Sequence, residues 1–192
     1  MFYQELTLLP DATININHLW SKVYTQIHLA LASQMTDGAK GRIGVSFPQY
    51  ETGKDRTLGS KLRLFAETED ILDNLEIRKW MRAYREYVHI KDVHSVPADI
   101  DGYAVFRRQR QDNDATRDAR RYAKRHDVSF EEAKRLYPEE MRLKEDCPFI
   151  CISSKTNHNR FSLVIEKIRQ DGKIVEGFGS YGLDNHSTVP EF

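Results

Sequence analysis

Cysteine is scarce in these 192 residues: only Cys147 and Cys151 occur. Their spacing matches neither a zinc knuckle nor a redox pair, and two thiols cannot form a disulfide framework, so a reduced, cytoplasmic compartment is expected. No apolar run approaches the roughly 18 residues of a membrane span, which argues against membrane insertion. The first residues, Met1-Phe2-Tyr3-Gln4-Glu5, lack a basic stretch followed by an apolar block, and no secretion signal is expected. The seven histidines form no H-x-x-x-H or H-E-x-x-H arrangement. Carboxylates show none of the spacings that suggest two-metal phosphodiester hydrolysis, so neither a metal site nor another cofactor is expected. Internal repeats of fixed period and low-complexity tracts are also missing.

Net charge is lacking as well, since 29 basic residues balance 29 acidic ones. A neutral total argues against a nucleic-acid binder, but the distribution does not. Between Arg107 and Arg125 eight basic residues face three acidic ones, a local surplus of five positive charges. Local charge decides where a phosphate backbone docks.

What is present is a globular composition, 40% hydrophobic and 30% charged. Its length suits one large domain or two small ones. Residues 2–9 alternate as a strand ended by Pro10. Residues 17–35 carry Leu19, Val23, Ile27, Ala30 and Leu31 at helical spacing, with Asn17 as the N-cap. Ile43, Val45 and Phe47 alternate up to Pro48, 49–60 reads as a loop, and 61–66 alternates again. A helix from about Glu69 to Leu75, running on toward Arg85, and a strand at 87–93 complete the order βαββαβ. That is the ferredoxin-like pattern also used by RNA-recognition modules. Pro97, Asp99, Asp101 and Gly102 interrupt periodicity, so an α+β chain is expected, with an N-terminal ferredoxin-like domain at 1–96 and a second α+β domain at 97–192. The second half begins with a strand or linker at 103–110 and the basic helix. Ser129 and Glu132 form a capping box for a helix at 130–137, and strands are expected at 148–153, 161–168 and 173–181.

On the basic helix, Arg117, Arg120, Arg121, Lys124 and Arg125 sit at i, i+3, i+4, i+7 and i+8 and share one face, while Ala115, Ala119, Tyr122 and Ala123 offer an apolar face for docking. Solvated charged faces are common but usually mix signs, and only Asp118 interrupts this one. Clustered like charge carries a penalty that an anionic partner relieves. The turn at 126–129 could imitate a helix-turn-helix and favour DNA; the preceding βαββαβ unit favours RNA. A regular A-form major groove is too deep and narrow for most side chains, so an arginine helix would need the open end of a short hairpin.

His28 lies one residue past the apolar position Ile27, at the edge of its helix's apolar stripe. A lone histidine there is more often structural. If the chain cuts RNA, the 2′-hydroxyl is the natural nucleophile and a neutral imidazole a suitable base near neutral pH. Ser153, Ser154 and Thr156 usually would only solvate a turn. Phe161 reads as core or as a platform for a base. Tyr181, in a Ser-Tyr-Gly turn, reads as a corner residue or a site partner.

These residues resemble a known family, the CRISPR repeat-processing endoribonuclease of type I-F systems. The resemblance runs through Gln26-Ile27-His28-Leu29-Ala30-Leu31, Arg42-Ile43-Gly44-Val45-Ser46-Phe47-Pro48, Lys124-Arg125-His126-Asp127, Pro148-Phe149, Tyr181-Gly182-Leu183 and the final Phe192. It implies an arginine helix in the major groove of the repeat hairpin, and cleavage at the 3′ base of the stem. His28 then corresponds to the general base, Ser154 to the serine holding the ribose of the attacking 2′-hydroxyl, and Tyr181 to the tyrosine that orients the histidine. Phe161 corresponds to the aromatic under the terminal base pair. Arg117, Arg120, Arg121, Lys124, Arg125 and His126 fall on the groove-binding helix, and Thr156 is counted with the RNA-binding residues. Where the family reads base edges with an Arg and, two residues on, a Gln, this chain has Arg108 and Arg110, with Gln109 and Gln111 beside them. Either the base preference differs or the register slips by one. The resemblance also implies that the protein stays on its product RNA within a type I-F effector complex of several subunits. The alternatives are a non-cleaving subunit that holds guide RNA and a DNA-binding regulator using residues 112–137.

Overall fold

The computed structural model describes residues 1–36, 38–109, 115–136, 147–153 and 160–192, the side chains of 115–118 excepted. The first half contains β1 (Phe2–Leu8), α1 (Ile16–Ser33), β2 (Gly44–Ser46), β3 (Lys61–Ala66), α2 (Glu69–Leu75), α3 (Ile77–Trp80), a 3-10 turn at Arg82–Tyr84 and β4 (Val88–Ser95). Its sheet runs in the order β2-β3-β1-β4 with every neighbouring pair antiparallel. Strands β1 and β2 therefore point the same way, joined by α1, with β3 inserted between them: a split βαβ unit.

Apolar spacing explains α1. Leu19, Trp20, Val23, Tyr24, Ile27, Ala30 and Leu31 are its buried residues and form one stripe against the sheet. Burying each of the larger ones contributes about 1.5–3 kcal/mol. Its N-cap is Asn15, not Asn17: the Asn15 backbone is extended, and its side chain accepts from the His18 N–H at 2.9 Å. A cap needs that geometry one residue ahead of the first helical turn, and Asn17 already lies inside the helix. The helix expected from 69 to about 85 is broken, because Glu76 adopts φ 49° and starts α3 on a new axis.

In the second half come β5 (Gly102–Gln109), α4 (Ala115–His126), α5 (Phe130–Leu136), β6 (Phe149–Ser153), β7 (Arg160–Gln170) and β8 (Val189–Glu191). They build a second antiparallel sheet in the order β6-β7-β5-β8. The strand expected at 173–181 is not one. Gly177 takes φ 100°, the N–H groups of Ile174 and Glu176 are taken by the hydroxyls of Thr188 and Ser187, and Phe178 makes only an isolated bridge to Gly41. With those donors spent on side chains, no ladder forms.

One core runs through both sheets. An aromatic chain joins them: Trp20 to Phe47 at 5.6 Å, Tyr24 to Phe47 at 5.9 Å, Phe47 to Phe106 of β5 at 5.7 Å, and Tyr50 to Phe106 at 6.0 Å. The buried polar ends are satisfied. The Trp20 indole donates to the Gly59 carbonyl at 2.8 Å, and the Tyr50 hydroxyl to that of Ile165 at 3.0 Å. Helix α1 also lies against the open edge of β6, where the Ser21 hydroxyl donates to the Cys151 carbonyl.

Candidate active site

His28 sits on the flank of α1, half-buried, one residue past Ile27 of the core stripe. Its Nδ1 lies 2.9 Å from the Ser180 carbonyl oxygen. A carbonyl can only accept, so the hydrogen is assigned to Nδ1, and in the neutral ring Nε2 keeps its lone pair. The imidazole is also stacked flat on the Tyr181 ring, centroids 3.9 Å apart and planes 4° from parallel. Ring and carbonyl together fix both the orientation and the tautomer of the histidine.

The turn that presents Ser180 and Tyr181 is itself pinned. Tyr24, fully buried in α1, donates its hydroxyl to the Tyr181 carbonyl at 2.9 Å. Burial raises the Tyr24 phenol well above its ordinary pKa, which keeps it a donor. The Gly182 carbonyl accepts from the Val45 N–H of β2 at 3.0 Å. Gly182 has φ 69°, and a Cβ there would stand 2.4 Å from Val45 Cγ1, so the close approach of turn and strand needs glycine. Burial also raises the Tyr181 pKa, with the charge of Arg108 pulling the other way, so the ring is a neutral phenol near neutral pH.

Arg108 connects this pair to the second sheet. On β5 it alternates with Arg107 and Gln109 and shares a face with Phe106. Its guanidinium stands over the Phe161 ring at 5.0 Å. Arg107, pointing the opposite way, is held by Glu166 at 2.9 Å. The structure thus brings His28, Tyr181, Arg108 and Phe161 to one place where α1, β5, β7 and the 180–182 turn meet. Ser154, Thr156 and Arg110 lie outside the described residues, as does the side chain of Arg117. The sequence pointed to none of the roles of the Ser180 carbonyl or Tyr24. A backbone oxygen leaves no mark in sequence, and nothing in the helical spacing singles out Tyr24.

The basic helix forms a separate surface. Arg120, Arg121, Lys124, Arg125 and His126 are all exposed, while Ala119 is fully buried, as is Ala133 of the neighbouring α5. Arg120 lies over Phe130 at 5.7 Å, and His126 stacks on Tyr122 at 4.2 Å. The helix ends where Asp127 takes φ 53°, and the capping box holds as read: the Ser129 hydroxyl and N–H donate to the Glu132 carboxylate at 2.8 and 3.1 Å, and the hydroxyl accepts from the Glu132 N–H at 3.2 Å.

Known proteins resemble the chain over this whole arrangement. The model of the family described as CRISPR-associated protein (Cas_Csy4) matches residues 3–192. A protein of Pseudomonas aeruginosa (strain UCBPP-PA14) named CRISPR-associated endonuclease Cas6/Csy4 is 33% identical over 191 residues, covering 99% of this chain and 98% of the relative. Another of that name, from Escherichia coli (strain UTI89 / UPEC), is 28% identical over 191 residues, with the same two coverages. With a match from residue 3 to the last residue, and a relative of this identity along nearly its full length, the chain belongs to the Csy4 family of CRISPR-associated proteins.

Proposed function

We propose that this protein is an endoribonuclease that binds the hairpin of CRISPR repeat RNA and cuts the precursor at the 3′ base of the stem. The observation that carries the reading is the geometry of His28. Its Nδ1–H is held by the Ser180 carbonyl and its face by Tyr181, which leaves Nε2 as the basic nitrogen. The relatives' shared name, an endonuclease, supports the reading.

Nε2 takes the proton of a 2′-hydroxyl, and the oxygen attacks the adjacent phosphorus. The bond from phosphorus to the 5′ oxygen breaks, leaving a 2′,3′-cyclic phosphate (or its opened 3′-phosphate), and the 5′ oxygen takes a proton from solvent. Such base catalysis contributes roughly 10²–10⁴-fold, and alignment of the three reacting atoms supplies much of the rest. On this reading Ser154 holds the ribose and Tyr181 orients the base. Phe161 stacks under the terminal base pair with Arg108 above its ring, and Arg110 and Thr156 join the RNA contacts. Arg117, Arg120, Arg121, Lys124, Arg125 and His126 line the groove of the stem. No step uses a metal, and among the described residues no three His, Cys, Asp or Glu side chains are grouped to hold one.

The division of labour follows the chain: residues 1–96 carry the base and 97–192 the grip. The same grip keeps the mature RNA bound, as a subunit of a type I-F effector complex would require. The work belongs in the cytoplasm, and among the described residues no helix is long and apolar enough to cross a membrane.

The test is cleavage of a labelled repeat hairpin in EDTA by the wild type and by His28→Ala. Cutting at the stem base by the wild type alone, with hairpin affinity retained in the variant, is the expected result. Normal cutting by the variant overturns the assignment, and binding without cutting by either protein points to a subunit that only holds guide RNA.

A further inference from the structure

We infer that Tyr24 is a positioning residue for His28: its buried hydroxyl holds the turn that holds the base. This rests on the function proposed above, in which His28 takes the proton. The turn runs from Phe178 to Leu183, and each of its carbonyls has a donor. Those of Phe178, Gly179, Gly182 and Leu183 take backbone N–H groups at 2.6–3.0 Å. The remaining two, adjacent in the chain, are bonded by side chains: Ser180 by His28 and Tyr181 by Tyr24, each at 2.9 Å. Both side chains come from α1. They are four residues apart, so they stand one turn from each other on the same side of the helix. Among the described residues no other hydrogen bond joins α1 to this turn.

The two side-chain bonds differ in what competes with them. Tyr24 is fully buried, so its bond is made in a medium of low dielectric, where water does not replace the carbonyl. His28 is half-buried, and solvent competes for its Nδ1–H. A histidine left as the sole tie between helix and turn would have to hold the turn through a bond that water can break. Tyr24 takes over that task. The two carbonyls are separated only by the φ and ψ of Tyr181, the residue whose ring stacks on His28. Anchoring the second carbonyl therefore limits both the direction of the first and the placement of that ring. A phenylalanine at 24 would fill the same space but leave the Tyr181 carbonyl without its donor.

The experiment compares the full chain as wild type, Tyr24→Phe and Tyr50→Phe in single-turnover cleavage of a labelled repeat hairpin. Tyr50→Phe is the matched control, because the Tyr50 hydroxyl also donates to a carbonyl within the protein, but to that of Ile165 in β7. Tyr24→Phe is expected to slow cleavage by about 10-fold, which is about 1.4 kcal/mol, the net worth of one hydrogen bond. Its affinity for an unflanked hairpin is expected to be unchanged, and Tyr50→Phe to cut at the wild-type rate. Long-range ¹H–¹⁵N spectra of the proteins with labelled histidine, at a pH where the ring is neutral, read the tautomer directly. The His28 signals are identified by their loss in His28→Ala. They are expected to show the hydrogen on Nδ1 in the wild type and in Tyr50→Phe, and shared between both nitrogens in Tyr24→Phe. A wild-type rate in Tyr24→Phe, an equal loss in Tyr50→Phe, or a slowed Tyr24→Phe whose tautomer is unshifted each overturns the positioning role. A wild type that does not cut the hairpin would count against the function itself, and the spectra would still decide for or against Tyr24.

Discussion

At His28 two contacts divide one task. The Ser180 carbonyl decides which nitrogen carries the hydrogen, and the Tyr181 ring decides which way the imidazole faces. The contact Tyr181 makes with the histidine is through its ring face, so the ring should matter more than the hydroxyl. Tyr181→Phe is expected to keep single-turnover cleavage within about 3-fold of the wild type, whereas Tyr181→Leu loses the stack and at least about 10-fold in rate, the low end of what positioning supplies. Hairpin affinity should be unchanged in both. A Phe variant as slow as the Leu variant would give the hydroxyl the role instead. The sequence could name His28 and Tyr181 only through resemblance. Helical spacing places the histidine at a stripe edge, where most histidines do structural work, and no pattern foretells a partner some 150 residues away.

Among the elements, α4 was the most legible: its charge spacing shows an exposed basic face and an alanine seam, and Arg120, Arg121, Lys124 and Arg125 are exposed while Ala119 is buried. If α4 grips a phosphate backbone, Arg121→Ala with Lys124→Ala should lower the salt slope for the unflanked hairpin by about 0.9 per lost contact, by the value for duplex DNA. An unchanged slope would mean the helix faces something else. β6 and the first residues of β3 and β4 alternate between buried and more exposed positions, whereas β2 and the middles of β1, β5 and β7 bury successive residues. Legibility failed where backbone groups find partners other than a ladder. Residues 173–181 look like a strand, but Thr188 and Ser187 take their N–H groups. The continuous helix read beyond Leu75 stops at Glu76 because that residue adopts a left-handed conformation, which its side chain does not announce.

For the molecule as a whole, the aromatic chain through Phe47 makes the buried side chains of the two sheets one continuous cluster. A second tie lies on the far face of the first sheet. Glu5, 2% exposed, is bound by Lys91 and Arg63 at 2.9 Å each, and Arg63 also donates to the Phe192 carbonyl at 2.5 Å and stacks on its ring. Burial alone would raise the Glu5 pKa, but the hydrogen bonds from Lys91 and Arg63 and the charges of Arg63 and Lys61 hold it down from 4.5 to about 2. A depressed carboxylate contributes stability that is present above its unfolded pKa and lost as pH falls through the folded one. Between about pH 4.5 and 2, the wild type should therefore lose more stability than Glu5→Gln. The difference is expected to be on the order of 2 kcal/mol after solvent screening, read from urea midpoints. Parallel curves for the two proteins would exclude the cluster as an acid-sensitive tie. The candidate base and its carbonyl partner are 152 residues apart in the chain. During synthesis His28 therefore leaves the ribosome long before Ser180 and Tyr181 are made. A nascent or prematurely stopped chain lacks both contacts that fix the ring, so the arrangement at His28 exists only once the last residues of the chain have folded onto α1.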